Sequence, residues 1–166
     1  MNILNLMSEL NFEIFSNGIN YNGADVSIGK LFHSKNIGFH LEILNPKSFS
    51  CPYHYHEKEE ELCIVMEGDA ILRQNNQYRK IKTGDLVYFA TGPENAHHIY
   101  NHSDKPLKFF VLSTQDPDEI CHYPDSLKIF DVKARKVTQN GMEVDYWKDE
   151  ENPGRNWPAN ALQGKI

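Results

Sequence analysis

The sequence predicts an all-β sandwich or barrel, and three observations carry that prediction. Glycine and proline punctuate the chain at short intervals from Gly18 to Pro124. The runs between them are strand-sized and rich in β-branched and aromatic residues, the density expected of a sandwich or barrel. Several of these runs are apolar on successive residues rather than alternating, as in strands covered on both faces.

Taken in order, the first ten residues (MNILNLMSEL) are the best helical candidate in a chain with little room for helix. Strands are expected at Ile37–Leu44 (IGFHLEIL), Leu62–Met66 (LCIVM), Leu86–Phe89 (LVYF) and Leu107–Ser113 (LKFFVLS). Gly68-Asp69 separates LCIVME from AILRQ. Asn75-Asn76 tolerates the left-handed conformations of a hairpin between AILRQ and QYRKI. Lys82–Asp85 makes another tight turn before LVYF, and a short turn is expected near Asp116–Cys121. The acidic run from Glu57 to Glu61 reads as a solvated, lid-like loop. From Lys148 the pattern is lost, and Pro153, Gly154 and Pro158 break any element. The expected organisation is one domain over residues 1–147 and an extended tail over 148–166, with Trp147 and Trp157 available to pin it.

With 166 residues, 40% of them hydrophobic, one ordinary domain can bury about 68–70% of the surface its unfolded chain exposes. Seventeen basic against 23 acidic residues give a formal charge of −6, which supplies no phosphate-neutralising face and argues against nucleic acid. No apolar run approaches the roughly 20 residues of a membrane-spanning helix, so no membrane partner is expected. The N-terminal apolar stretch has no positive flank and is interrupted by Asn5, Ser8 and Glu9, unlike a secretory signal. Cys51, Cys63 and Cys121 are odd in number and lack a CxxC pair, which reads as reduced thiols in a cytoplasmic protein. The phosphate-loop, dinucleotide and serine-hydrolase signatures are not found, so those activities have no support.

Placement of the eight histidines matters more than their number. His54 and His56 are alternate residues, so on an extended strand both imidazoles project from one face. Glu61 opens the next apolar run, where a hairpin can return it beside them. His97 follows the loop Thr91–Asn95 and leads into another strand. Three imidazoles and one carboxylate converging in a barrel suit a borderline divalent ion: imidazole favours Zn, Fe or Ni, and the carboxylate admits Mn.

HYHEKEEELCIVMEG resembles the first motif of the cupin superfamily: two histidines one residue apart, a glutamate, then a glycine closing the turn. GDLVYFATGPENAHHIYN resembles the second, with Gly84, Gly92, His97 and Asn101 at the matching places. It departs in having Ala90 where proline is usual and a loop two residues longer before His97, which makes His98 a rival; the spacing to Asn101 favours His97. The resemblance covers Ile37 to Ser113, and the flanking pieces are similar to small bacterial single-domain cupins. It implies a double-stranded β-helix barrel of the jelly-roll type, commonly a homodimer, with the metal held in its mouth by His54, His56, Glu61 and His97.

Other residues have plainer readings. Cys63 and Cys51 are expected to pack in the core. Tyr53 and Tyr55 should point away from the metal, between barrel and partner, as should His98 and Tyr100. His102 and His122 read as solvated, while His40 is placed where it could face the cavity. The functional expectation is a mononuclear metal-binding cupin acting on a small polar metabolite, by sugar-phosphate isomerase-like or dioxygenase-like chemistry. The alternative is a binding, storage or sensing module of the same fold, since no acid–base pair beyond the ligands announces itself.

Overall fold

The structure, a computed structural model, describes residues 3–8 and 10–166. Of the expected N-terminal helix, residues 1, 2 and 9 lie outside the described residues. The remainder turns at Leu6 and Met7, where Asn5 Oδ1 accepts the Met7 N–H at 2.9 Å. In chain order the strands are β1 (Glu13–Asn17), β2 (Tyr21–Val26), β3 (Ile37–Leu44), β4 (Tyr55–His56), β5 (Glu61–Glu67), β6 (Asp69–Gln74) and β7 (Gln77–Lys82). They continue as β8 (Leu86–Phe89), β9 (His97–Tyr100), β10 (Leu107–Thr114), β11 (Ile120–Tyr123), β12 (Lys128–Asp131), β13 (Lys136–Gln139) and β14 (Met142–Glu143). Two four-residue helices, α1 (Ile28–Leu31) and α2 (Ala159–Leu162), complete the regular structure together with a 3-10 turn at Pro93–Asn95.

The strands form antiparallel sheets ordered β1-β2-β3-β10-β5-β8, β7-β6-β9 and β14-β13-β12-β11-β4. The return of β10 to lie between β3 and β5 is the crossover of a double-stranded β-helix, as the sequence predicts. Leu44, Val65, Ala70, Leu72, Phe89, Leu107 and Phe109 fill the space between sheets. A fully buried Val, Leu or Phe side chain contributes about 1.5–3 kcal/mol, so this interior is the main stabilising layer.

Successive burial in β6 has the predicted cause. Ala70 and Leu72 face the barrel interior, while Ile71 faces a second cluster of Tyr21, Phe49, Tyr100, Trp157 and Ala161. Asn75 (φ 45°) and Asn76 (φ 58°) both adopt the left-handed conformation that matches the hairpin to the strand twist. The N-terminal extension covers the opposite face, packing Leu4, Leu6 and Leu10 near Val26, Ile28 and Leu41.

The strands beyond residue 116 were not anticipated. A turn does form at Pro117–Asp118, but β11 to β14 then build most of the third sheet. Its last hairpin turns on Asn140 (φ 51°) and Gly141 (φ 76°), an Asn-Gly pair whose left-handed conformations suit a tight hairpin. The tail over 148–166 carries no strand. It runs along the barrel, inserts Trp157 edge-on against Phe49 at 5.4 Å between ring centroids, and ends in α2. No helix of the described residues is long and apolar enough to cross a membrane.

Candidate metal centre

Each of the three sheets delivers part of one cluster. His54 pairs with His97 through an isolated bridge, with His97 N–H donating to His54 O at 2.8 Å. His56 ends β4 opposite Cys121 of β11, Glu61 begins β5 and His97 begins β9. The His54 ring centroid lies 5.1 Å from that of His56 and 4.4 Å from that of His97. Glu61 reaches both partners, with Oε2 3.8 Å from His56 Nε2 and Oε1 3.6 Å from His97 Nε2. His54, Glu61 and His97 each offer a ligand atom within 4.8 Å of the other two. Strand alternation separates the rivals: His97 joins this cluster, stacked on Phe89 at 3.6 Å, while His98 points to the other face.

The hydrogen bonds of the three rings share one pattern. Nδ1 of His54 donates to Pro52 O at 2.9 Å, and Nδ1 of His97 donates to Asn95 O at 3.0 Å. Nδ1 of His56 donates to Glu119 Oε1 at 3.3 Å. Each acceptor can only accept, so each ring carries its proton on Nδ1 and leaves a lone pair on Nε2. The Nε2 atoms of His56 and His97 are buried without any hydrogen-bond partner. Such orphaned acceptors are costly unless something positive occupies the space between them.

Electrostatics follow from the crowding. Burial, then the neighbouring His97 and His56, hold His54 well below the ordinary imidazole range. Burial also lowers His56, against the opposing pull of Glu61 and Glu119. For Glu61, burial pushes the carboxyl up, but the imidazoles of His97, His54 and His56 crowded around it outweigh burial and lower it to about 2. The unfolded chain therefore takes up protons on these histidines near 6.5 that the folded chain refuses. Stability of the metal-free protein is full above that value and is expected to fall as pH drops below it. Urea midpoints measured between neutral and mildly acidic pH check this; a flat profile contradicts it. Glu61 adds a second loss, between 4.5 and about 2.

A cavity of about 350 Å³ opens over the cluster, and its wall holds residues that the motifs do not contain. Glu119, almost fully buried, accepts the backbone N–H of Glu57 on Oε1 and those of Lys58 and Glu59 on Oε2, at 2.8–3.0 Å. The acidic loop is thus tethered to Glu119 rather than free, and Glu59 itself lines the cavity. No local pattern identifies Glu119, which lies 63 residues from His56. Cys121 can join His54 and His56 around a common point, but burial pushes its thiol up to about 12, whereas Glu61 is already ionised. His40 does face the cavity, beside Glu42, with His40 Nε2 3.6 Å from Glu42 Oε2.

Several remaining expectations change. Cys63 is a core residue as expected, whereas Cys51 lines the cavity with Sγ 3.5 Å from His54 Nδ1. Tyr53 is buried within this chain beneath the Arg73 guanidinium, 3.6 Å from the ring centroid, and Tyr55 stacks on His122 at 4.7 Å. His122 also contacts Glu57 Oε1 at 2.6 Å, and His102 Nε2 sits 3.2 Å from Asp69, so neither is simply solvated. His98 leaves the site but is not exposed: the tail buries it against Phe49 and Trp157. Asn101 holds no ligand position; its amide N–H groups donate to Leu44 O, Asn45 O and Lys105 O and fix the turn before β10.

Residues 40–113 match the Cupin domain family. An uncharacterized protein of Methanocaldococcus jannaschii is 29% identical over 72 residues, which span 43% of this chain and 56% of that protein. Little more than half of that relative's length is therefore matched. A structure from Silicibacter pomeroyi described as a sugar phosphate isomerase from a cupin superfamily is similar at TM-score 0.68 and 26% identity, covering 74% of this chain and 80% of that one. A candidate sugar phosphate isomerase from Acidithiobacillus ferrooxidans is similar at TM-score 0.71 and 25% identity, covering 89% and 93%.

Proposed function

We propose that this chain, which belongs to the cupin superfamily, holds one divalent metal ion on His54, His56, Glu61 and His97 and uses it on a small polar metabolite bound in the barrel. One observation carries this reading: three histidines have their Nδ1 protons committed to acceptors, and two buried Nε2 atoms face Glu61 with nothing to bind. Neutral imidazoles beside an ionised carboxylate are the donor set that Fe, Mn, Ni or Zn accepts. Four protein ligands on an ion able to expand its coordination leave room for substrate, where the metal would supply Lewis acidity toward a carbonyl. Both structural relatives are described as sugar phosphate isomerases, and isomerisation of a hydroxycarbonyl compound fits this site better than storage does. The observation favouring turnover is Glu42 with His40 in the cavity wall: a carboxyl raised by burial, in contact with an imidazole, can take and return a proton. That pair answers the one feature that favoured a passive binding module.

Elemental analysis of protein purified without a histidine tag tests the proposal. About one equivalent of a transition metal per chain is expected, and metal loading should be required for turnover of hydroxycarbonyl substrates. Protein that takes up no metal on reconstitution overturns it, and oxygen uptake by the loaded protein would redirect it to an oxygenase. A homodimer in the cytoplasm belongs to the same reading. Its support is the pairing of half-exposed Tyr88 with Leu62, and of Leu62 with Leu112, an apolar row across the outer sheet face, together with three free thiols.

A further inference from the structure

The cavity wall is acidic and lacks a cation. Glu42, Glu59, Glu61 and Glu119 all line it, and among the described residues neither lysine nor arginine does. The nearest buried cations are committed elsewhere. Lys128 Nζ sits 2.9 Å from Glu150 and over the rings of Tyr123 and Tyr146, 5.7 and 5.6 Å from their centroids. Arg73 is paired with Asp125 at 2.5 Å and packs on Tyr53. Sites that recognise phosphate monoesters surround them with arginine, lysine or converging backbone N–H groups. The converging N–H groups beside the cavity at residues 57–59 are already occupied by the Glu119 carboxylate.

The wall also has an unmet hydrogen-bonding need. Glu42 Oε1 is buried and has no partner. Burial pushes the Glu42 carboxyl up, as expected of a group taken out of water with one oxygen unpartnered. A hydroxyl offers the donor that Glu42 lacks, whereas a phosphate dianion offers only acceptors and a second negative charge. Four acidic side chains already face the place of one divalent ion before any ligand enters.

We infer that the cavity selects a small uncharged hydroxycarbonyl compound, oriented by a hydroxyl donated to Glu42, and that it rejects the corresponding phosphate monoester. This inference rests on the metal-centred reading above and departs from the substrate class of its two structural relatives. Glu42 is the specificity-determining residue.

The test titrates cobalt-loaded protein with dihydroxyacetone and with dihydroxyacetone phosphate, following the cobalt absorption spectrum and the heat of binding. Phosphorylation is expected to weaken binding about tenfold or more. Glu42→Gln is expected to narrow that ratio from both sides, weakening the parent compound and admitting the ester. Equal or tighter binding of the ester overturns the inference, as does silence toward both probes at millimolar concentration. Protein that fails to take up cobalt counts against the metal reading instead. Calorimetry on the metal-free chain then still ranks the two probes, with the same order expected.

Discussion

Replacing His56 by alanine is expected to lower metal affinity by more than about 100-fold, because loss of an outer-sphere partner alone typically costs ~10–100-fold and His56 is proposed as a ligand itself. The fold should survive. His56 sits at the end of a two-residue strand, its side chain is partly exposed, and Glu119 keeps three backbone donors without it. Loss of one hydrogen bond to a charged group corresponds to about 1.5–3 kcal/mol in the metal-free protein. Elemental analysis and competition with a chelator read the first effect, and urea unfolding reads the second. Unchanged metal content in a folded His56→Ala protein would remove the basis of the proposed function. Loss of metal that merely tracked loss of fold would show instead in the urea midpoint.

The residues that make this cluster were legible because each sits at a position where local geometry alone fixes its direction. His54 and His56 are two apart on extended chain, Glu61 begins the strand after the loop, and His97 begins another. Strand alternation then sends His97 inward and His98 outward, a distinction that spacing alone could express. The strand-rich interior was legible for the same reason, since β6 is apolar on both faces and both faces are covered. The third sheet was not, although Asn140-Gly141 marked one of its hairpins. Its strands are short and mix polar with apolar residues, so their apolar periodicity is weak. What covers the outer face of β9 was equally hidden. His98 has no polar partner, and only the arrival of Trp157 from a segment without periodicity makes it a core residue. Glu119 and Glu42 lie in stretches with no motif, and only tertiary closure brings them to the cavity.

Glu119→Gln is expected to weaken metal binding by about 10–100-fold while leaving every proposed ligand in place. The carboxylate satisfies four donors, two on each oxygen: Glu57 N–H and His56 Nδ1–H on Oε1, Lys58 N–H and Glu59 N–H on Oε2. An amide of the same shape must turn its NH2 group toward one of these pairs, leaving two buried donors facing another donor, at a cost of roughly 2–5 kcal/mol. If the amide meets the His56 side, the ring loses its reason to keep the proton on Nδ1, and Nε2 no longer points an assured lone pair at Glu61. Nitrogen-15 spectra of the His56 ring separate positioning from bulk stability: Nδ1-protonated in the wild type even without metal, mixed in the variant. A variant that is less stable yet keeps wild-type metal affinity and a single tautomer would reduce Glu119 to a loop anchor. The expected coupling matters for how the site is assembled, because Glu119 lies beyond residue 113, where the family match ends. The part of the chain with the weakest sequence signal would then set the state of a proposed ligand in the part with the strongest, and it binds the rim loop at 57–59 to the same carboxylate.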